Sequence, residues 1–265
     1  MEITMKKLNL SVKKFLETSE RVAFLVGSGC STDAPSNLPT GASLKNTLLR
    51  YACNELELEQ LSELSSLTLQ ALLEILRTQV DENLRILDFF GKCDKPNLQH
   101  HFLAERLKMG NIVLTTNFDT LIETAFLKST SSDPGLKLYI TEGDYKNSRN
   151  INDALGANHR AELYKIHGSL RNIVNKEDTK DHLISVIHKI GSIKQDFDLL
   201  QVEPYKKPIL KEILNDHVLV VIGYSGKEDF DILPTIGNID HLTALVWINH
   251  VEKSGQTQEA YEIET

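Results

Sequence analysis

The chain is short of cysteine, of tryptophan, of long apolar runs and of net positive charge, and each shortage closes off a class of protein. Its three cysteines, Cys30, Cys53 and Cys93, form no C-x-x-C pair, which argues against a zinc ribbon or a dithiol redox motif. A low, odd count of this kind fits a reducing compartment, so a cytoplasmic protein is expected. The opening segment MEITMKKLNLSVKKF holds no apolar h-region, and no apolar run reaches the roughly 18 residues of a membrane span. The expectation is therefore a protein without a membrane association. Lys and Arg together number 29 against 37 Asp and Glu, for a net charge of −8. Phosphate neutralisation needs a basic face, so no direct nucleic-acid binding is expected. There is no internal repeat and no low-complexity tract.

What is present is an ordinary globular composition, 41% hydrophobic and 25% charged over 265 residues. That length allows one large α/β domain, or one with a sizeable insertion, and a core that needs no disulfide. Short apolar runs that read as buried strands occur at Arg21–Val26, Asn111–Thr116, Leu163–Ile166, His217–Gly223 and Leu242–Ile248. Helical spacing of apolar positions lies between them, at residues 8–19, 43–53, 56–80 (with a break at Ser65-Ser66), 82–90, 97–108, 119–127 and much of 176–215. Residues 129–160, rich in Ser, Asp, Gly and Asn, read as a loop region with short elements. Strands separated by helical stretches predict a Rossmann-like parallel sheet with flanking helices and a mainly helical insertion at about 43–108.

Five polar clusters sit where these strands end. Gly27-Ser28-Gly29-Cys30-Ser31 follows the first strand, where glycines let the backbone approach a pyrophosphate; with Thr32 in place of a third glycine, a plain strand-to-helix turn is the competing reading. Thr115-Thr116-Asn117-Phe118-Asp119 closes the second strand. Asp119 also suits the N-cap of the next helix, whereas a buried Asn117 amide demands partners. His167-Gly168-Ser169 closes the third, with an imidazole able to exchange a proton near neutrality. Gly223-Tyr224-Ser225-Gly226 follows the fourth, with Asp229 or Asp231 as a helix cap, and Asn249 ends the last, where it also suits a turn. In an open parallel sheet these strand ends share one edge, the place where such sheets bind nucleotides.

This ordered set, spanning about residues 21–250, resembles the sirtuin superfamily. The resemblance implies a single sirtuin-like NAD-binding domain over residues 1–265 and NAD⁺ as a substrate. It implies that Gly27, Ser28, Gly29, Cys30 and Ser31 cradle the NAD⁺ phosphates and that Asn117 and Asp119 line the nicotinamide–ribose pocket. His167 would act as catalytic base or orienter. Gly223, Tyr224 and Ser225 would meet phosphate or the adenosine side, and Asn249 the adenine ribose. No metal is expected. Thr116 stands where protein-deacylating sirtuins carry glutamine, no zinc-binding cysteines follow His167, and residues 32–41 lack the Pro-Asp-Phe-Arg segment of the deacylases. The pattern is more similar to the sirtuin-like NADase domains of bacterial antiphage defence proteins.

The resemblance therefore implies an NAD⁺ glycohydrolase releasing nicotinamide and ADP-ribose, with Asn117 and His167 catalytic. The chemistry needs the dinucleotide held in place, the developing positive charge stabilised and water admitted to the ribose C1′. The competing readings are an NAD-dependent protein deacylase, a mono-ADP-ribosyltransferase, or a non-catalytic NAD or ADP-ribose sensor. Such NADases are held silent until triggered, so a homo-oligomer and a regulatory domain or partner subunit from the same operon are expected. The chain is expected to be part of a longer protein or to work with such a partner. The leucine-rich helices at 56–80 would cover the pocket, form an oligomer contact or simply pack in the core.

Overall fold

The computed structural model describes residues 4–8, 14–15, 21–62, 64, 67–130, 135–147, 161–191, 202–226, 231–238, 244–249 and 260–264. Its centre is a six-stranded parallel sheet. The strands are β2 (Val22–Val26), β3 (Ile112–Thr115), β4 (Leu136–Tyr139), β5 (Ala161–Lys165), β8 (Val218–Ile222) and β9 (Ala244–Ile248), in the order β4-β5-β3-β2-β8-β9. Outside it, β1 (Thr4–Leu8) pairs antiparallel with β10 (Ala260–Glu264), and β6 (Arg171–Asn172) forms a small hairpin with β7 (Glu177–Asp178).

Apolar residues on both faces explain why the central strands are covered on both sides. All five positions of β2 are buried. Ala23 and Leu25 face one layer with Leu114, Leu219 and Val221 and with helix α9 (Lys207–Asp216) through Ile209, Leu210, Ile213 and Leu214. Val22, Phe24 and Val26 face the other, against α5 (Leu98–Lys108) and α6 (Leu121–Lys128) through Leu103, Leu107, Ile122 and Phe126. This period-two split assigns the two layers directly from the pleat.

Between β2 and β3 the chain is mainly helical: α1 (Gly41–Ala52), α2 (Glu55–Ser62), α3 (Leu69–Gln79), α4 (Asp88–Lys92) and α5. Thr40 and Thr68 start α1 and α3 by accepting the backbone N–H of Ser43 and Ala71. α7 (Glu142–Lys146) and α8 (Lys180–Gly191) lie later, and α10 (Ile232–Gly237) follows β8. Leu38, Leu44, Leu69, Leu73, Leu87 and Phe90 from the helical stretch pack with Phe118, Leu121, Leu170, Leu183 and Ile187 in a third apolar cluster. The insertion is thereby fastened to the rim of the sheet that carries the polar strand ends.

Several expectations change. Leu8 ends a strand rather than opening a helix, and most of residues 8–19 lies outside the described residues. Residues 82–90 are not one helix: Leu84 adopts a left-handed φ of 44°, a 3-10 turn spans Arg85–Leu87, and α4 occupies Asp88–Lys92. The stretch 129–160 does hold short elements where it is described, edge strand β4, paired with β5, and α7, while 131–134 and 148–160 lie outside the described residues. Residues 176–215 begin in a hairpin strand before α8. Among the described residues no helix is long and apolar enough to cross a membrane.

The loops after β2 and β8 are clasped together. Gly27 N–H donates to Ile222 O at 3.1 Å and Gly29 N–H to Gly223 O at 2.8 Å. A Cβ on Gly27 would lie 2.5 Å from Gly223 O, and one on Gly223, whose φ is +61°, would lie 2.5 Å from Cys30 N. The two backbones meet closer than any side chain permits. Gly27→Ala, at an ordinary φ, should therefore cost about 1–3 kcal/mol through overpacking alone. In a chain of this size that is a drop of several degrees in the unfolding midpoint, read by scanning calorimetry; an unchanged midpoint would show that the clasp is not tight.

Candidate functional site

The order of strands reverses at β2, which has β3 on one side and β8 on the other. Crevices at such a switch point open at the carboxyl ends of the strands. A cavity of about 540 Å³ lies there, walled by residues following β2 (Ser28, Gly29, Ser31), β3 (Thr116–Asp119), β5 (His167), β8 (Gly223–Gly226) and β9 (Asn249). The helical insertion closes the far side through Leu38, Thr40, Leu44, Leu69, Gln70 and Phe90. The volume lies within the roughly 300–1,000 Å³ of small-molecule sites. Among the described residues no lysine or arginine lines it.

The fold brings Ser28, Gly29, Ser31, Asn117, Asp119, His167, Gly223, Tyr224, Ser225 and Asn249 to this one cavity. Gly27 and Cys30, both expected at the phosphates, do not line it. Gly27 is taken up by the clasp. Cys30 is fully buried, and burial pushes its thiol up to about 12, with the Asp119 and Asp33 carboxylates adding to the shift. It is an inert packing residue.

Asn117 is fixed by its own loop. Its backbone N–H donates to Thr115 Oγ1 at 3.1 Å, and Nδ2 donates to Gly27 O at 3.2 Å and to Ser31 Oγ at 3.4 Å. These acceptors settle which end of the amide is nitrogen. Oδ1 is then a buried acceptor with no partner among the described residues, on a side chain that lines the cavity. A buried amide oxygen left in this way calls for a donor from a ligand or a water.

Beside it runs a polar relay. Asn97 N–H donates to His100 Nδ1 at 3.1 Å, so the ring proton sits on Nε2, which donates to Ser31 Oγ at 3.1 Å. The Ser31 hydroxyl donates to Asp119 Oδ2 at 2.9 Å, and Asp119 Oδ1 accepts Leu121 N–H at 3.0 Å. Asp119 thus caps the start of α6 as well as lining the cavity. Its carbonyl accepts from the ammonium of Lys165, which also faces Glu123 at 3.2 Å; both side chains are fully buried. Burial pushes the Glu123 carboxyl up, and the Lys165 charge opposes that shift.

His167 follows β5, on a chain turned by Gly168 at a φ of +86°. Nε2 lies 3.1 and 3.2 Å from the two carboxylate oxygens of Asp231, and both residues are buried. An imidazole held by a carboxylate has its tautomer and orientation set, and its protonated form stabilised. Lys206, fully buried, donates to Ile166 O immediately before His167 and to Glu203 Oε2 at 2.7 Å. Burial pulls this ammonium below the usual lysine range, with Glu203 opposing.

Asp231 had been visible in the sequence only as a cap for the helix after β8; its side chain makes no cap hydrogen bond there. Nothing in the spacing 167 to 231 signals the pair. Lys165 gave no signal beyond a charge interrupting an apolar strand, Lys206 read as a surface charge beside Lys207, and His100 as one polar position of a helix. Gln70 lay within a leucine-rich helix, and its Oε1 is a second buried acceptor with no partner among the described residues.

Residues 111–239 match the SIR2-like domain family. That stretch is just under half of the chain and contains Asn117, Asp119, His167, the β8 loop and Asp231; the match supports a sirtuin-like, NAD-related likeness of the stretch. The first glycine loop and Asn249 fall outside it. No curated protein matches the chain.

Burial pulls His100 down from 6.5 to about 4, against the attraction of Asp119. The folded protein therefore keeps this ring neutral while the unfolded chain protonates it near 6.5. Stability complete above pH 6.5 should drain as the pH falls toward 4, by up to about 3 kcal/mol. His100→Gln, which can still accept from Asn97 and donate to Ser31, should flatten that decline in urea unfolding at pH 7 and pH 4.5. An equally steep loss in the variant would contradict the assignment.

Proposed function

We propose that the chain is an NAD⁺ glycohydrolase, breaking the bond between nicotinamide and ribose with water as acceptor. The observation that carries this reading is the meeting of the Asp231-held His167 with the unpartnered acceptor of Asn117 on one cavity at the switch point. The match of residues 111–239 to the SIR2-like domain family supports the choice of substrate.

The residues fit such a substrate. Among the described residues Asn117 Oδ1 and Gln70 Oε1 lack donors, which ribose hydroxyls, a carboxamide or a held water supply. The hydroxyls of Ser28 and Thr40 line the cavity and accept from Gly41 N–H and Ser43 N–H, which leaves their own hydrogens to donate to phosphate oxygens. Asp119 on the wall and Asp231 behind His167, with no lysine or arginine in the lining among the described residues, favour a reacting centre that gains positive charge.

In the balanced reaction the C1′–N bond breaks and its electron pair leaves with nicotinamide. Water oxygen bonds to C1′, and one water proton is released, giving ADP-ribose. Asn117 Oδ1 orients that water, or the hydroxyl beside C1′, by accepting one of its hydrogens. His167 takes up the released proton, and Asp231 stabilises the imidazolium that results. Thr116, where the deacylases carry glutamine, leaves water rather than an acyl-lysine as the acceptor in this reading. The finer roles implied by the resemblance, an NAD-depleting effector of antiphage defence that works as a homo-oligomer under a regulatory domain or partner subunit, belong to the same proposal.

Purified protein should release nicotinamide from NAD⁺ without any acyl-lysine peptide, as followed by chromatography. Asn117→Ala and His167→Ala should each lower that rate about 100-fold or more in protein that still unfolds cooperatively. Asp231→Asn should slow it less and move the acidic limb of the pH–rate profile to lower pH, because the imidazolium loses its counter-charge. Full turnover in the first two variants, or turnover only with peptide present, would overturn the hydrolase reading.

A further inference from the structure

A second cavity, of about 650 Å³, lies on the other side of α4. It is walled by α4 (Asp88, Gly91, Lys92), the end of α6 (Thr124, Leu127, Lys128) and the β6–β7 hairpin with its flanks. Its charge is the reverse of the molecule's. In a chain of net charge −8, this cavity gathers Lys92, Lys128, Arg171, Lys176 and Lys180 against Asp88, Glu177 and Asp178.

The pairing inside the cavity leaves that excess standing. Lys180 is neutralised by Asp88 at 2.5 Å, and Asp178 Oδ1 accepts the backbone N–H of Lys180 at the start of α8. Arg171 and Lys128 are each tied to a backbone carbonyl rather than to a carboxylate. Arg171 Nη2 donates to Gly91 O at 3.2 Å, and Lys128 Nζ donates to Asp94 O at 2.7 Å. These single bonds hold the two cations in place and leave most of their donors for another acceptor. Lys92 and Lys176 have no ion pair among the described residues. Held cations with donors to spare, around a concave floor of Leu127, Leu170 and Ile173, are suited to phosphate oxygens attached to a small organic body.

We propose that this cavity binds a phosphate-bearing small molecule, distinct from the substrate of the first cavity. The occupant is small rather than a nucleic acid, because the acidic remainder of the chain repels an extended polyanion. The two cavities share a wall. Phe90 lines the first and packs edge-on against Phe118 at 6.2 Å, while Asp88, Gly91 and Lys92 line the second. An occupant drawn against Lys92 and Arg171 bears on the short helix that carries Phe90.

Calorimetric titration of inorganic pyrophosphate into the full chain tests the site without reference to NAD⁺. The expected result is saturable binding that weakens at least tenfold in Lys92→Glu/Lys176→Glu, whose side chains make no hydrogen bond or ion pair among the described residues, and that also weakens in Lys128→Met. Absence of binding, or equal affinity in the double variant, would overturn the proposal. So would tighter binding of a single-stranded oligonucleotide that the same reversal abolishes.

Discussion

Two ammonium groups buried at the carboxyl edge of the sheet hold the candidate site in shape. Strand ends leave backbone carbonyls with no ladder partner, and buried carbonyls must find donors. Lys165 donates to the carbonyl of Asp119 and Lys206 to that of Ile166, at the roots of the loops carrying Asn117 and His167. Burying a charge costs several kcal/mol, and each ammonium is accordingly matched with a carboxylate, Glu123 or Glu203. Removing either lysine would leave a buried acid without its counter-charge and a buried carbonyl without its donor. The geometry of the polar wall therefore rests on charges that never meet the cavity.

The same economy governs the glycines. Sequence reasoning assigned Gly27 to a phosphate, because glycine lets backbone approach a ligand. In the fold its missing side chain is used against the neighbouring loop, where Gly223 and Tyr224 lie. Close approach was the right physical demand, and the partner is the chain itself. Ser28, Gly29 and Ser31 are the members of the motif that reach the cavity.

How much could be read from the sequence follows from how local each signal is. The central strands were legible because both of their faces are buried, which makes them continuous apolar runs. The polar strand ends were legible because a parallel sheet places its carboxyl ends together. β4 was not, being a four-residue edge strand inside a polar stretch. The pairing of β1 with β10 joins segments near opposite ends of the sequence and leaves no local trace. Asp231 was seen only as a helix cap, since its partner His167 lies on a different strand end. Lys165 sits within a strand and reads as an interruption of it, although it is among the most enclosed side chains of the molecule.

The cavity draws its walls from Ser28 at one extreme of the sequence and Asn249 at the other. During synthesis, the chain can fold its first strands and helices long before β9 leaves the ribosome, yet the pocket stays open on that side until it does. Here the order in which the polypeptide is made delays completion of the pocket to nearly the last strand of the sheet.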